Sequence, residues 1–140
     1  MTYDNDNIFA KILRKEIPAQ ILLEDEHSIA IMDAMPQADG HALVIPKAPS
    51  VNLLDADPDS LAHAIKMVQT IANAGKQAFE ADGVIVRQFN NPAAGQSVFH
   101  THFHIIPVKE GQSLKGHAVE FADGDLLKQH AEKYRAVLEG

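Results

Sequence analysis

Residues 98–106 read VFHTHFHII, with an imidazole at every second place from His100 to His104 and Thr101 and Phe103 between them. In an extended backbone, positions i, i+2 and i+4 share one side, so the segment is predicted as a strand carrying His100, His102 and His104 on one face of a sheet. Phe99, Phe103 and Ile105 then turn to the other face, toward core and helices. Three readings of that imidazole row compete. It is the polar face of an ordinary half-buried strand, a metal site, or a nucleophilic centre. Three successive alternate residues extend about 13 Å of strand. One zinc with bonds near 2 Å cannot gather all three, so a metal would need a ligand from elsewhere. A nucleophilic imidazole suits phosphorus, because it is neutral near pH 7 and its phosphoryl adduct is labile enough for water to release. The preceding loop AAGQS favours an anion, since its backbone N–H groups can converge and Gly95 permits close approach, although a plain turn explains the same glycine.

The rest of the pattern describes one domain, 1–140. At 140 residues and 46% hydrophobic composition the chain can bury a core unaided. Phe9, Ile12 and Leu13 recur at helical spacing in a short helix that the Ile17-Pro18 pair should stop. Strands are predicted near 20–24 and 28–33, in HALVIPK, in VIVRQF and in the histidine segment, the first three forming an antiparallel meander. Asp57 followed by Pro58 opens the longest helix, 58–80, with Leu61, Ile65, Val68, Ala72, Gly75 and Phe79 on its apolar face. A last helix, about 125–138, carries Leu126, Leu127, Tyr134 and Leu138. Helices and strands are grouped rather than alternating, so the fold class is α+β, a five-stranded antiparallel sheet packed by the long helix.

Charge and composition narrow the function classes. A net charge of −7 in mixed clusters gives little support to nucleic-acid binding, so a phosphate-bearing substrate must be met locally. The absence of cysteine removes thiolate chemistry and is compatible with a reducing compartment. No secretory pattern and no membrane-length apolar run stand out, and the chain is read as soluble and cytoplasmic, with no membrane partner.

AAGQSVF followed by HTHFHII resembles the signature of the histidine triad family. DNIFAKILRKEIPAQILLEDE and MDAMPQADGHALVIPK are similar to its nucleotide-binding, Hint-like branch, in a bacterial-type member. The resemblance covers about 6–108 and leaves 109–140 as an unmatched extension. It implies hydrolysis of a nucleoside phosphoramidate or a dinucleoside polyphosphate such as diadenosine tetraphosphate, through a nucleotidyl-histidine formed on His102. It further implies that His100 and His104 flank His102 and bind phosphate or hold orientation. His41 matches the separate fourth histidine that supports the nucleophile. Asp33 would meet the ribose, Phe9, Ile12 and Ile31 would wall the base, and Asn90, Gly95, Gln96 and Ser97 would meet phosphate or leaving group. A purine nucleotide substrate, a homodimer and no cofactor follow from the same resemblance. Two alternatives stay open: a nucleotide-binding interaction protein with incidental hydrolysis, and a histidine-ligated metal hydrolase.

Departures from the family pattern carry their own expectations. Asn7 and Ala10 stand where several bacterial members have a Cys-x-x-Cys, so no structural zinc is expected. Thr101 replaces an apolar residue and should face away from the triad. The chain has no tryptophan, whereas that branch ends in a tryptophan-containing tail. Phe89 stands where the fragile-histidine-triad branch has a glutamine. His27, His63, His117 and His130 receive no role.

Overall fold

A computed structural model describes all residues, 1–140. The elements run α1 (Ile8–Leu13), β1 (Ile21–Glu24), β2 (Ser28–Met32), β3 (Ala42–Pro46), α2 (Pro58–Ala78), β4 (Gly83–Arg87), β5 (Phe103–Val108) and α3 (Gly124–Glu139). The five strands form one antiparallel sheet in the order β1-β2-β3-β5-β4. No helix is long and apolar enough to cross a membrane.

Both faces of the sheet centre are covered, which is why β2 and β3 read as unbroken apolar runs, SIAIM and ALVIP, buried throughout. On one face Ala30, Met32, Val44, Phe103 and Ile105 pack against α2 and α3. The other face joins Ile29, Ile31, Leu43 and Ile45 to Phe9 and Ile12 of α1. Each such isoleucine contributes about 1.5–3 kcal/mol through burial. Asn7 starts α1, its Oδ1 accepting from the Ala10 amide, so the two positions that would hold a cysteine pair are joined as a helix cap.

Helix α2 begins as expected, with Asp57 capping the Ser60 amide and Pro58 at the first turn. Its buried face is rotated from the expected one. Ala64, Met67, Val68, Ile71, Ala74 and Gly75 face inward, while Ile65 is 53% exposed. Both stripes satisfy a period of three and four and share Val68 and Gly75, and Tyr134 of α3 packs on Gly75. A Cβ there would lie 2.5 Å from Tyr134 Oη. Helix α3 likewise buries His130, Ala131 and Tyr134 rather than Leu126, which is 39% exposed.

These two helices also pin the backbone beside the site. Gly40 adopts φ +86°, and a Cβ on it would meet the Phe79 ring at 2.7 Å, so only glycine fits. The Tyr134 hydroxyl donates to the Gly40 carbonyl. His41 is the next residue.

Candidate active site

Only one of the three alternating histidines lies within a strand. β5 starts at Phe103, with Phe103, His104 and Ile105 opposite Val44, Leu43 and Ala42. His100 and His102 precede it in an irregular segment. The expected continuous strand is interrupted because the 98–102 backbone is drawn toward the 46–51 loop, where the Thr101 amide and hydroxyl bond to Ser50. Thr101 is thereby buried in the scaffold and turned away from the reactive rings.

The hydrogen bonds assign a tautomer to every ring. His100 Nε2 lies 2.7 Å from the Pro46 carbonyl, which can only accept, so Nε2 carries the proton and Nδ1 accepts from the Tyr3 hydroxyl at 2.6 Å. His100 is fully buried and does not line the cavity; of the two roles the resemblance offered, phosphate contact or orientation, its place fits orientation, through its carbonyl on His102 Nδ1. His102 Nδ1 lies 2.6 Å from the carbonyl of His100. That carbonyl also only accepts. The proton of His102 therefore sits on Nδ1, and the lone pair of Nε2 is left for attack.

The second half of the network is built around His41. The Gln37 amide donates to His41 Nδ1 at 2.9 Å, which puts the His41 proton on Nε2. Nε2 lies 3.0 Å from His104 Nδ1 and 3.3 Å from Asp33 Oδ2. His104 Nδ1 then accepts, and its proton sits on Nε2, a buried atom with no partner in the protein. His41 thus bonds His104, the neighbour of His102, rather than His102 itself. His102 and His104 meet edge to face with ring centroids 5.0 Å apart.

Burial tunes these groups. It lowers the pKa of His41 to about 3, of His102 to about 4 and of His104 to about 2, with neighbouring imidazoles adding to the effect. All three are neutral near pH 7. Burial also raises Asp33 to about 6, opposed by the Met35 amide that donates to its Oδ1.

A cavity of about 580 Å³ opens over this network, a size suited to one small ligand. Phe9, Ile12, Ile31 and Leu43 form its apolar wall, and Asp33, Ser97, His102 and His104 its polar side. Phe9 also packs edge-on against His102 at 4.7 Å. Asn90, Gly95 and Gln96 do not line it. The Gln96 amide is consumed by Val51, Val98, Asn91 and Asn52, and Asn90 by Leu53 and Gln88. Their side chains shape the loop instead of facing a ligand. His117, given no role from sequence, does line the cavity and touches His104 and Phe89. Its position in an irregular segment gave no periodic signal by which to place it.

Asp33, His41 and His104 bring one ligand atom each within 4.8 Å of one another, a spacing a metal ion could use. The Gln37 amide argues against it. While Nδ1 of His41 accepts that bond, Nε2 holds the proton and has no lone pair for a metal.

Residues 14–111 match the model of the HIT domain. Adenosine 5'-monophosphoramidase HNT1 of Saccharomyces cerevisiae is 37% identical over 141 residues, covering 99% of this chain and 87% of its own length. Adenylylsulfatase HINT3 of Arabidopsis thaliana is 38% identical over 85% of this chain; the match spans 64% of that longer protein. A crystal structure of a Hit-like protein involved in cell-cycle regulation from Bartonella henselae, with unknown ligand, superposes with a TM-score of 0.92 at 53% identity, covering 97% of this chain and 99% of the other. That superposition extends well into the C-terminal part, 109–140, which the resemblance had left unmatched.

Proposed function

Since this chain belongs to the HIT family, whose relatives above include nucleotide hydrolases, we propose that it cleaves a purine nucleotide P–N or P–O bond at the α-phosphorus through His102. The observation that carries this reading is the tautomer of His102. Its Nδ1–H is held by the His100 carbonyl, so an unprotonated, neutral Nε2 stands at the wall of a nucleotide-sized cavity. The base lies along Phe9, Ile12 and Ile31, and a ribose hydroxyl donates to a remaining lone pair of Asp33. Nε2 of His102 forms a bond to phosphorus as the bond to the leaving group breaks; a P–N nitrogen takes a proton from solvent and departs as the neutral amine, and a P–O oxygen departs with the electron pair as the phosphate anion. His104 Nε2–H, the orphaned donor, bonds the phosphoryl oxygen that gathers charge. Water then replaces His102, giving the nucleoside monophosphate and restoring the imidazole.

His41 and Asp33 position His104. The Gln37 amide fixes His41, His41 Nε2–H fixes His104 Nδ1, and the proton of His104 is thereby left on Nε2 without a partner in the protein. Adenosine phosphoramidate and diadenosine tetraphosphate are the substrates to try first, with adenosine phosphosulfate as a third, after the names of the two relatives.

A homodimer and a cytoplasmic location belong to the same reading. β4 is an edge strand whose Val86 is 46% exposed, and Ile65 of α2 is 53% exposed, so apolar surface is available for a second copy. Light scattering on the purified protein tests the dimer.

Alkaline quench after brief turnover, followed by mass spectrometry, should find a nucleotide on the peptide containing His102. His102→Ala should lower kcat by at least about a thousandfold and abolish the adduct. Equal rates in both proteins would remove the covalent route.

A further inference from the structure

The ring of His100 touches no reacting atom in the mechanism above, yet both of its nitrogens are bonded. Nε2–H donates to the Pro46 carbonyl at the exit of β3, and Nδ1 accepts from the Tyr3 hydroxyl, 97 positions away in sequence. His41 stands at the entrance of the same strand and bonds His104, so β3 steadies both branches of the imidazole network. The main chain around His100 is tied to the 46–51 loop twice, by the Thr101 amide on Ser50 and by the His100 ring on Pro46. The carbonyl between those two ties is the acceptor that keeps the proton of His102 on Nδ1.

Tyr3 is itself held in place from α1. Arg14 donates to the Asn5 carbonyl at 2.7 Å, and the side-chain amide of Asn7, the cap of that helix, donates to the Asp4 carbonyl at 2.7 Å. The same helix carries Phe9, which packs on His102, so α1 reaches the nucleophile by two routes. Tyr3 is half-buried and its ring meets that of His100 edge to face at 5.6 Å. His100 is fully buried, and burial lowers its pKa, so the ring is neutral and its Nδ1 is a lone pair that requires a donor. The opposite tautomer would set an Nε2 lone pair against the Pro46 carbonyl oxygen. With the hydroxyl in place, His100 keeps one tautomer and one ring pose.

We infer that Tyr3 is a positioning residue for His102: its hydroxyl pins the His100 ring, and the ring aims the carbonyl that fixes the His102 tautomer. The inference rests on the His102 mechanism. Without the hydroxyl, Nδ1 of His100 is a buried acceptor with no donor, a costly state that the ring relieves by turning toward water. The carbonyl attached to it moves with the ring. His102 then populates the tautomer protonated on Nε2, which has no lone pair to attack phosphorus. Substrate binding is untouched, because neither Tyr3 nor His100 lines the cavity.

The test removes the hydroxyl alone. Tyr3→Phe should lower kcat for adenosine phosphoramidate by about 10-fold while KM stays at the wild-type value. Long-range proton–nitrogen NMR spectra of protein labelled at histidine supply the second readout. In wild type, His102 should show a protonated Nδ1 and a bare Nε2; in Tyr3→Phe its two nitrogen signals should move toward each other as the tautomers mix. Deletion of Thr2 and Tyr3 removes the hydroxyl by a different route and should give the same two signatures. An unchanged kcat, or a lower kcat with His102 still protonated on Nδ1 alone, overturns the role of Tyr3 and leaves the His102 mechanism intact. Undiminished turnover in His102→Ala overturns that mechanism and this inference with it.

Discussion

His41 Nε2–H donates to His104 Nδ1 at 3.0 Å and lies 3.3 Å from Asp33 Oδ2. The Gln37 amide determines which nitrogen of His41 donates, and this in turn determines which nitrogen of His104 holds its proton. His41→Ala leaves His104 Nδ1 buried without a donor. The variant should lose about 2–4 kcal/mol of stability from the unmet group and the cavity, and about 10- to 100-fold in kcat. Urea unfolding alongside steady-state kinetics checks both; an unchanged kcat would mean that His104 keeps its orientation unaided.

Asp33 predicts the acid limb of the rate profile. Its carboxyl is raised to about 6, so it is an anion at pH 7 and takes up a proton as pH falls through 6. Protonation removes the negative acceptor beside His41 Nε2 and the lone pairs offered to ribose. His102 stays unprotonated until about 4 and cannot cause that limb. kcat/KM should therefore decline below pH 6 in the wild type, whereas Asp33→Asn should show a lower plateau with no inflection near 6. An inflection that persists in the variant assigns it to another group.

Stability should fall on acidification for a different set of residues. His41, His100, His102 and His104 all have pKa values lowered by burial, so the unfolded chain binds protons that the folded one refuses. Their contribution is fully present above the ordinary histidine pKa of about 6.5 and is lost as pH falls toward the folded values. Asp33, raised to about 6, works in the opposite sense between about 6 and 4 and offsets one of the four. The net slope still favours unfolding in acid. Thermal melts at pH 7 and pH 4.5 should differ by about 10 °C or more, with the lower value in acid. Equal midpoints would show that these rings bind protons without unfolding.

Gly40→Ala tests how the helices hold the site. The residue sits at φ +86°, and its added methyl would strike the Phe79 ring at 2.7 Å. A loss of about 2–4 kcal/mol is expected from backbone strain and overpacking. Because His41 is the next residue, kcat should fall in the variant even where calorimetry finds it fully folded.

The sequence alone determined the elements and the chemistry available to them. Alternation placed Phe103 and Ile105 on the core face, the apolar runs marked β2 and β3 as strands of a meander, and Asp57-Pro58 marked the start of α2. These are local properties, set by backbone periodicity and by which side chains tolerate water. The resemblance also singled out His102, His104, His41 and Asp33; His102, His104 and Asp33 line one cavity, and His41 is buried against His104 and Asp33. Tertiary structure decided the rest. How closely α3 approaches α2 depended on Gly75 beneath Tyr134, some sixty residues away in sequence, and whether Gln96 and Asn90 meet a ligand depended on loop partners at Val51, Asn52 and Leu53. Proton placement on the imidazoles followed from carbonyls and amides at Pro46, His100 and Gln37. A tautomer is a property of the partner as much as of the ring, and partners far apart in sequence become neighbours only when the chain folds.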